Sequence, residues 1–140
     1  GVQPNVITFE LLNACEKGGQ WEKALELLSL MEDREVQPDV ITFNAAISAC
    51  AKGEQWEKAV SVLNSMEARG MHPNVISFNA AISACAKGGQ WKKALELFNS
   101  MEDRGVKPNI ITFNAAISAC EKDGQWKGAV ELFNSMEGRG

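Results

Sequence analysis

Histidine occurs once in the sequence, as His72, beside Pro73. A nucleophile–base–acid relay needs a histidine on which other groups converge, and a lone histidine next to a proline reads as a solvated side chain. Clustered acids are also lacking. The four aspartates, Asp33, Asp39, Asp103 and Asp123, are scattered and offer no metal-binding group. The Lys-Gly-Gly-Gln turns follow helical patterns, whereas a phosphate-cradling loop follows a strand. These absences exclude the common catalytic constellations, so no enzyme activity, cofactor or metal is expected. No apolar run approaches the roughly 18 residues of a membrane span, so no membrane insertion is expected. A basic excess is missing as well: 14 Lys and Arg stand against 18 Asp and Glu, a net charge of −4. Taken alone, that balance argues against nucleic acid. The chain opens on Gly1-Val2-Gln3-Pro4 and closes on Gly138-Arg139-Gly140. Both ends look like inter-unit linkers, and the expectation is a segment of a longer array.

What is present is periodic. Trp21, Trp56, Trp91 and Trp126 are spaced by 35 residues, as are Cys15, Cys50, Cys85 and Cys120, and Met31, Met66, Met101 and Met136. Phe9, Phe43, Phe78 and Phe113 step by 34, 35 and 35, so the first unit is one residue short between Phe9 and Cys15. The repeats span 6–39, 40–74, 75–109 and 110–140. Each reads as two helices. In the second unit, Thr42 is a plausible N-cap ahead of Phe43, and Phe43, Ile47 and Cys50 form one apolar face. Ala45, Ala46 and Ala49 permit close helix approach, and Gly53 is expected to supply the left-handed stop. A second helix begins near Gln55 and carries Trp56, Ala59, Val60, Leu63 and Met66 on its buried stripe. Gly70 and Pro73 end it; Glu35 replaces that terminal Gly in the first unit. One such hairpin cannot bury its apolar face alone, whereas four stacked ones bury a continuous core. With 45% hydrophobic residues, the material for that core is available. The predicted fold is all-α, a right-handed α-solenoid of four helix–turn–helix repeats.

The cysteines recur once per repeat on one helical face. Zinc sites want them two to four residues apart. Stacked helices lie roughly 8–10 Å apart, beyond disulfide reach. They read as small buried hydrophobes. The tryptophans could be stacking platforms for bases, but each falls on the apolar stripe of a second helix and reads as a core anchor.

The first helices carry another stripe: Asn44, Ser48 and Lys52; Asn79, Ser83 and Lys87; Asn114, Ser118 and Lys122. Stacking aligns these as three rows on one face. Amides can read base edges, and ammonium groups can meet phosphate. Lys17, Lys52, Lys87 and Lys122 offset Glu10, Glu16 and Glu121 on the first helices, so the net acidity resides on second helices and linkers. A solvated polar face is the alternative account of these rows.

The phrases Val-Ile-Thr-Phe-Asn-Ala-Ala-Ile-Ser-Ala-Cys, Lys-Gly-Gly-Gln, Trp-Glu-Lys-Ala-Leu-Glu-Leu-Phe and Met-Glu-x-Arg-Gly-Val-x-Pro-Asn together resemble the pentatricopeptide repeat over essentially the whole chain. The tetratricopeptide repeat has a 34-residue period and a Trp…Leu-Gly…Tyr first helix, and this chain has no Tyr. The resemblance implies an organellar protein, in chloroplast or mitochondrion, that binds single-stranded RNA at one base per repeat and acts in RNA processing, stability or translation. It implies base reading by Asn44 with Asn74 and by Asn79 with Asn109, and by Asn114, whose partner would lie beyond the last residue. Asn–Asn pairs imply a pyrimidine, cytosine somewhat over uracil. Ile41, Ile76 and Ile111 would wedge between bases, and Lys52, Lys87 and Lys122 would face phosphates. In the first repeat Glu10 stands where Asn is expected, with Asp39 as its partner, and two acids would repel RNA. Asn5 would close a preceding repeat. The alternative partner is protein: a scaffold or accessory subunit of an organellar assembly, acting without RNA.

Overall fold

In a computed structural model, the structure describes residues 20–33, 39–122 and 124–138, together with positions 14, 17 and 18. Most of the first helix of repeat 1, including the one-residue deletion, Asn5, Glu10 and Cys15, lies outside the described residues. Seven helices of 13 residues each follow: α1 Trp21–Asp33, α2 Val40–Lys52, α3 Trp56–Ala68, α4 Val75–Lys87, α5 Trp91–Asp103, α6 Ile110–Lys122 and α7 Trp126–Gly138. The described residues contain no strand, and the all-α repeat solenoid read from the sequence is the observed architecture.

The first helices start three residues earlier than Thr42 predicts. Asp39 is the N-cap of α2: its carboxylate accepts from the Thr42 backbone N–H at 2.9 Å and from the Thr42 hydroxyl at 2.8 Å. Asn74 caps α4 in the same way. A helix starts at the last non-helical residue whose side chain can accept from the first free N–H groups. Asp39 and Asn74 meet that condition, and Thr42 and Ser77 become the third helical residues that answer them.

The described first helices α2, α4 and α6 each end in a Schellman motif. Gln55 N–H reaches Cys50 C=O at 2.8 Å and Glu54 N–H reaches Ala51 C=O at 3.1 Å. The left-handed residue is Glu54, at φ 61°, and Gly53, at φ −83°, does not supply the stop expected of it. The motif places the positive φ one residue further on, where the later repeats have Gly89 and Gly124 at 71° and 72°. The glycine at the preceding position serves close approach instead: a Cβ on Gly88 would lie 2.5 Å from Trp56 Cδ1. The second helix α3 ends as read, with Gly70 at φ 78°.

First helices pack on one another, α2 on α4 and α4 on α6. The second helices α3 and α5 each seat between the first helix of their own repeat and that of the next. Among the described residues the backbones of successive second helices stay more than 8 Å apart. Alanine at 45, 46, 49, 81, 84, 116 and 119 is buried along the first-helix layer, which lets those backbones close up while bulkier second helices stay apart. Phe43, Phe78, Ile47, Ile82, Leu63, Met66 and Met101 fill the seam and are fully buried. Phe98 of α5 meets Phe113 of α6 edge to face, centroids 5.1 Å apart. Arg104 at the end of α5 lies over the Phe78 ring, 5.6 Å from its centroid, and pairs with Glu67 of the preceding repeat.

Three of the tryptophans, Trp21, Trp56 and Trp91, pack against the core as the stripe predicts, though they are less buried than expected. Trp21, Trp56 and Trp91 are half-buried, and Trp126 is 66% exposed. Each stands first in its helix; the turn of the next repeat closes over Trp56 at Gly88, and no turn beyond Trp126 is among the described residues. The cysteines match their reading. Cys50, Cys85 and Cys120 are free and fully buried. Burial pushes the Cys50 and Cys85 thiols up to about 11, against nearby Lys58 and Lys93 respectively. Cys120 is raised too, by burial and then by Glu131.

Candidate nucleic-acid interface

The stripe of the first helices lies on the closely packed layer, and the structure joins its amides across repeats. Asn44 sits at the fifth position of α2, and its Nδ2 donates to Oδ1 of Asn74, the N-cap of α4, at 3.1 Å. Asn79 of α4 makes the same bond to Asn109, ahead of α6, also at 3.1 Å. The pairing partner of each reader is thus the capping residue of the next repeat. One side chain serves both purposes because asparagine is among the strongest N-caps, and its oxygen can accept from the helix while its nitrogen remains available.

A third group completes each junction. Ser77 N–H donates to Asn74 Oδ1 at 3.1 Å, while Ser77 Oγ accepts from Asn74 N–H at 3.1 Å, a reciprocal capping box. The Ser77 hydroxyl donates in turn to Asn44 Oδ1. Thr112 repeats all three contacts with Asn109 and Asn79. Sequence reading missed these hydroxyls. The signal was the Asn-x-x-Ser spacing at 74–77 and the Asn-x-x-Thr spacing at 109–112, which mark a box closed by a hydroxyl in place of the usual Glu or Gln.

Asn44 is 8% exposed; Asn79 is half-buried, and Asn74 and Asn109 are exposed. Asn114 is exposed and has no side-chain partner among the described residues. The structure therefore brings together two of the predicted reading pairs and leaves the third asparagine single. Ile41, Ile76 and Ile111, each second in its helix, are 58%, 57% and 60% exposed. Three large aliphatics held in water at equivalent positions form an apolar row beside the amide row. Lys52, Lys87 and Lys122 are exposed and close the last turns of α2, α4 and α6, where a cation also complements the helix dipole. Asp39 presents a carboxylate at the first described junction. Its predicted partner, Glu10, is outside the described residues.

The arrangement can offer apolar flanks, amide donors and peripheral ammonium groups once per repeat. No group of three or more His, Cys, Asp or Glu side chains that could hold a metal ion occurs among the described residues. No helix among them is long and apolar enough to cross a membrane.

No curated protein matches the sequence at a significant level. Among solved structures, maize PPR10 in its own crystal structure is 28% identical over 94% of this chain, with a TM-score of 0.84. The crystal structure of PPR10 in complex with an 18-nt psaJ RNA element is 25% identical over 99% of this chain, again at 0.84. This chain spans 20% of that one. The PPR domain of Arabidopsis thaliana protein-only RNase P 1, solved in complex with tRNA, shares the fold at 17% identity and a TM-score of 0.69, over 95% of this chain and 89% of that one. The PPR repeat family model matches residues 4–52, 38–87 and 73–121, and the PPR repeat model matches 111–140. The chain belongs to the pentatricopeptide repeat family.

Proposed function

We propose that this chain is a single-stranded RNA-binding module that holds one base at each complete repeat junction, with no catalytic activity of its own. The observation that carries the reading is the repeated cross-repeat amide pair, Asn44 with Asn74 and Asn79 with Asn109, set beside the exposed Ile41, Ile76 and Ile111. The likeness to PPR10, solved with RNA, supports the same class of ligand. Bases stack against the isoleucine row, amides meet their Watson–Crick edges, and Lys52, Lys87 and Lys122 face the backbone. The preference is for pyrimidines, cytosine over uracil. The setting is an organelle, chloroplast or mitochondrion, where such arrays act on transcripts.

Energetics bound the affinity. Two complete junctions stacking one base each, at roughly 1–3 kcal/mol per base, gain about 2–6 kcal/mol. Association costs about 4–15 kcal/mol. These 140 residues by themselves bind weakly, and tight binding needs more repeats. Anisotropy of short labelled oligonucleotides at low salt tests the proposal: C-rich strands bind above U-rich, and both above A-rich. Absent or equal binding to all three refutes it. The net charge of −4 and the exposed Asp39 favour the second reading, a protein-binding scaffold. Co-purification of a stoichiometric protein partner without RNA would establish that instead.

A further inference from the structure

Ser77 and Thr112 stand third in α4 and α6 and are fully buried, beneath the amide pairs. Each touches both amides of its junction, and together these contacts fix which way every amide points. A backbone N–H can only donate. The Ser77 N–H at 3.1 Å from the Asn74 side chain therefore requires the oxygen there, and turns Asn74 Nδ2 away from the helix. That oxygen can face only a donor on Asn44, which is Nδ2 at 3.1 Å. Asn44 Oδ1 is then directed at the Ser77 hydroxyl, which accepts from Asn74 N–H and has one proton left to give; Asn44 Oδ1 is its closer acceptor, with Asn74 Oδ1 at 3.1 Å as the other. Thr112, Asn109 and Asn79 follow the same chain of necessity. The hydrogens left over are both N–H groups of the capping asparagine and one of the reader, so the surface of each junction is rich in donors.

At the first described junction Thr42 holds the same third position, and its hydroxyl donates to the Asp39 cap at 2.8 Å. The Ser77 and Thr112 hydroxyls also lie 3.1 Å from their caps, but their closer contacts are to Asn44 and Asn79.

We infer that Ser77 and Thr112 are positioning residues for base selection: each hydroxyl locks its amide pair in the donor-outward polarity that suits adjacent acceptors on a base. This rests on the RNA-binding reading above. Cytosine presents O2 and N3 as neighbouring acceptors, whereas uracil presents an N3–H donor that opposes the pair. Without the hydroxyl, the reader's oxygen loses its donor, in a buried position at Asn44 and a half-buried one at Asn79. That is costly, so the side chain swings out to hydrate it and brings an acceptor to the base-facing surface.

The test is NMR titration, which reads weak binding, of the chain and of a Ser77→Ala/Thr112→Val double variant with oligo-C and oligo-U, melting temperature being followed in parallel. The parent should prefer oligo-C by roughly fivefold per junction, the equivalent of one net hydrogen bond. The double variant should bring that ratio close to one. Ser77→Thr and Thr112→Ser, which keep the hydroxyl, should retain the parent ratio. If the double variant loses affinity for both strands equally, with an unchanged ratio, the hydroxyls only cap helices and the inference is overturned. If the parent binds oligo-C, oligo-U and oligo-A alike, or none of them, the RNA-binding reading has itself failed and the inference falls with it.

Discussion

Asn44 and Asn114 hold the same place in repeats of nearly identical sequence, yet their surroundings differ. Asn44 is buried against Asn74 and Ser77, while Asn114 is exposed and single among the described residues. The second helices repeat the contrast. Phe98 is 3% exposed, and its counterpart Phe133 is 48% exposed. The difference teaches that neither the core nor the proposed reading site belongs to a repeat. Both belong to the junction between two repeats, and a repeat whose successor is not among the described residues shows only half of each.

The largest expected effect breaks the core side of this comparison. Phe98→Ala removes a buried ring from between two repeats and should cost about 3–5 kcal/mol in urea unfolding. Phe133→Ala should cost under about 1 kcal/mol, because little of its surface is buried. Equal costs would mean that burial does not follow the junction. The polar side is smaller. Asn74→Ala removes a helix cap and leaves the buried Asn44 without its partner, for a loss of about 1–2 kcal/mol, whereas Asn114→Ala should stay within about 0.5 kcal/mol. Smaller again, Glu54→Gly should stabilise the α2–α3 turn by roughly 0.5–1 kcal/mol, since a left-handed glutamate gives way to the residue the later repeats use. Thermal melting would register it as a raised midpoint.

The least effect at neutral pH comes from the thiols. Cys50 and Cys85 hold their protons more tightly in the folded chain, at about 11, than at the ordinary 9.0. Their contribution is fully present below pH 9 and is lost as pH rises through 11, because the unfolded thiols ionise first. The urea midpoint should be flat up to pH 9 and fall above it. Cys50→Ala/Cys85→Ala should flatten that fall.

The fold was legible because the sequence states it several times. Tryptophan, cysteine, methionine and phenylalanine keep one register, and the apolar faces follow from it. What escaped was whatever depends on a neighbour. Thr42 looks like a cap because threonine caps well, but Asp39, which closes the preceding repeat, reaches the same N–H groups from outside the helix. Gly53 looks like the left-handed stop until the hydrogen bonds put Glu54 there. Trp126 shares its stripe with Trp56, but no next turn covers it among the described residues. The Asn pairs were visible only through likeness to a family, since residues 30 apart in sequence carry no local signal. The Ser77 and Thr112 hydroxyls needed the coordinates.

The most direct test of the junction as the reading unit follows the side-chain amides of 15N-labelled chain while oligo-C is added. The account predicts that the signals of Asn44, Asn74, Asn79 and Asn109 shift together with one binding curve, while Asn114 moves far less. Shifts at Asn114 equal to those at Asn44 and Asn79, or shifts at the first-helix asparagines that leave Asn74 and Asn109 untouched, would contradict it.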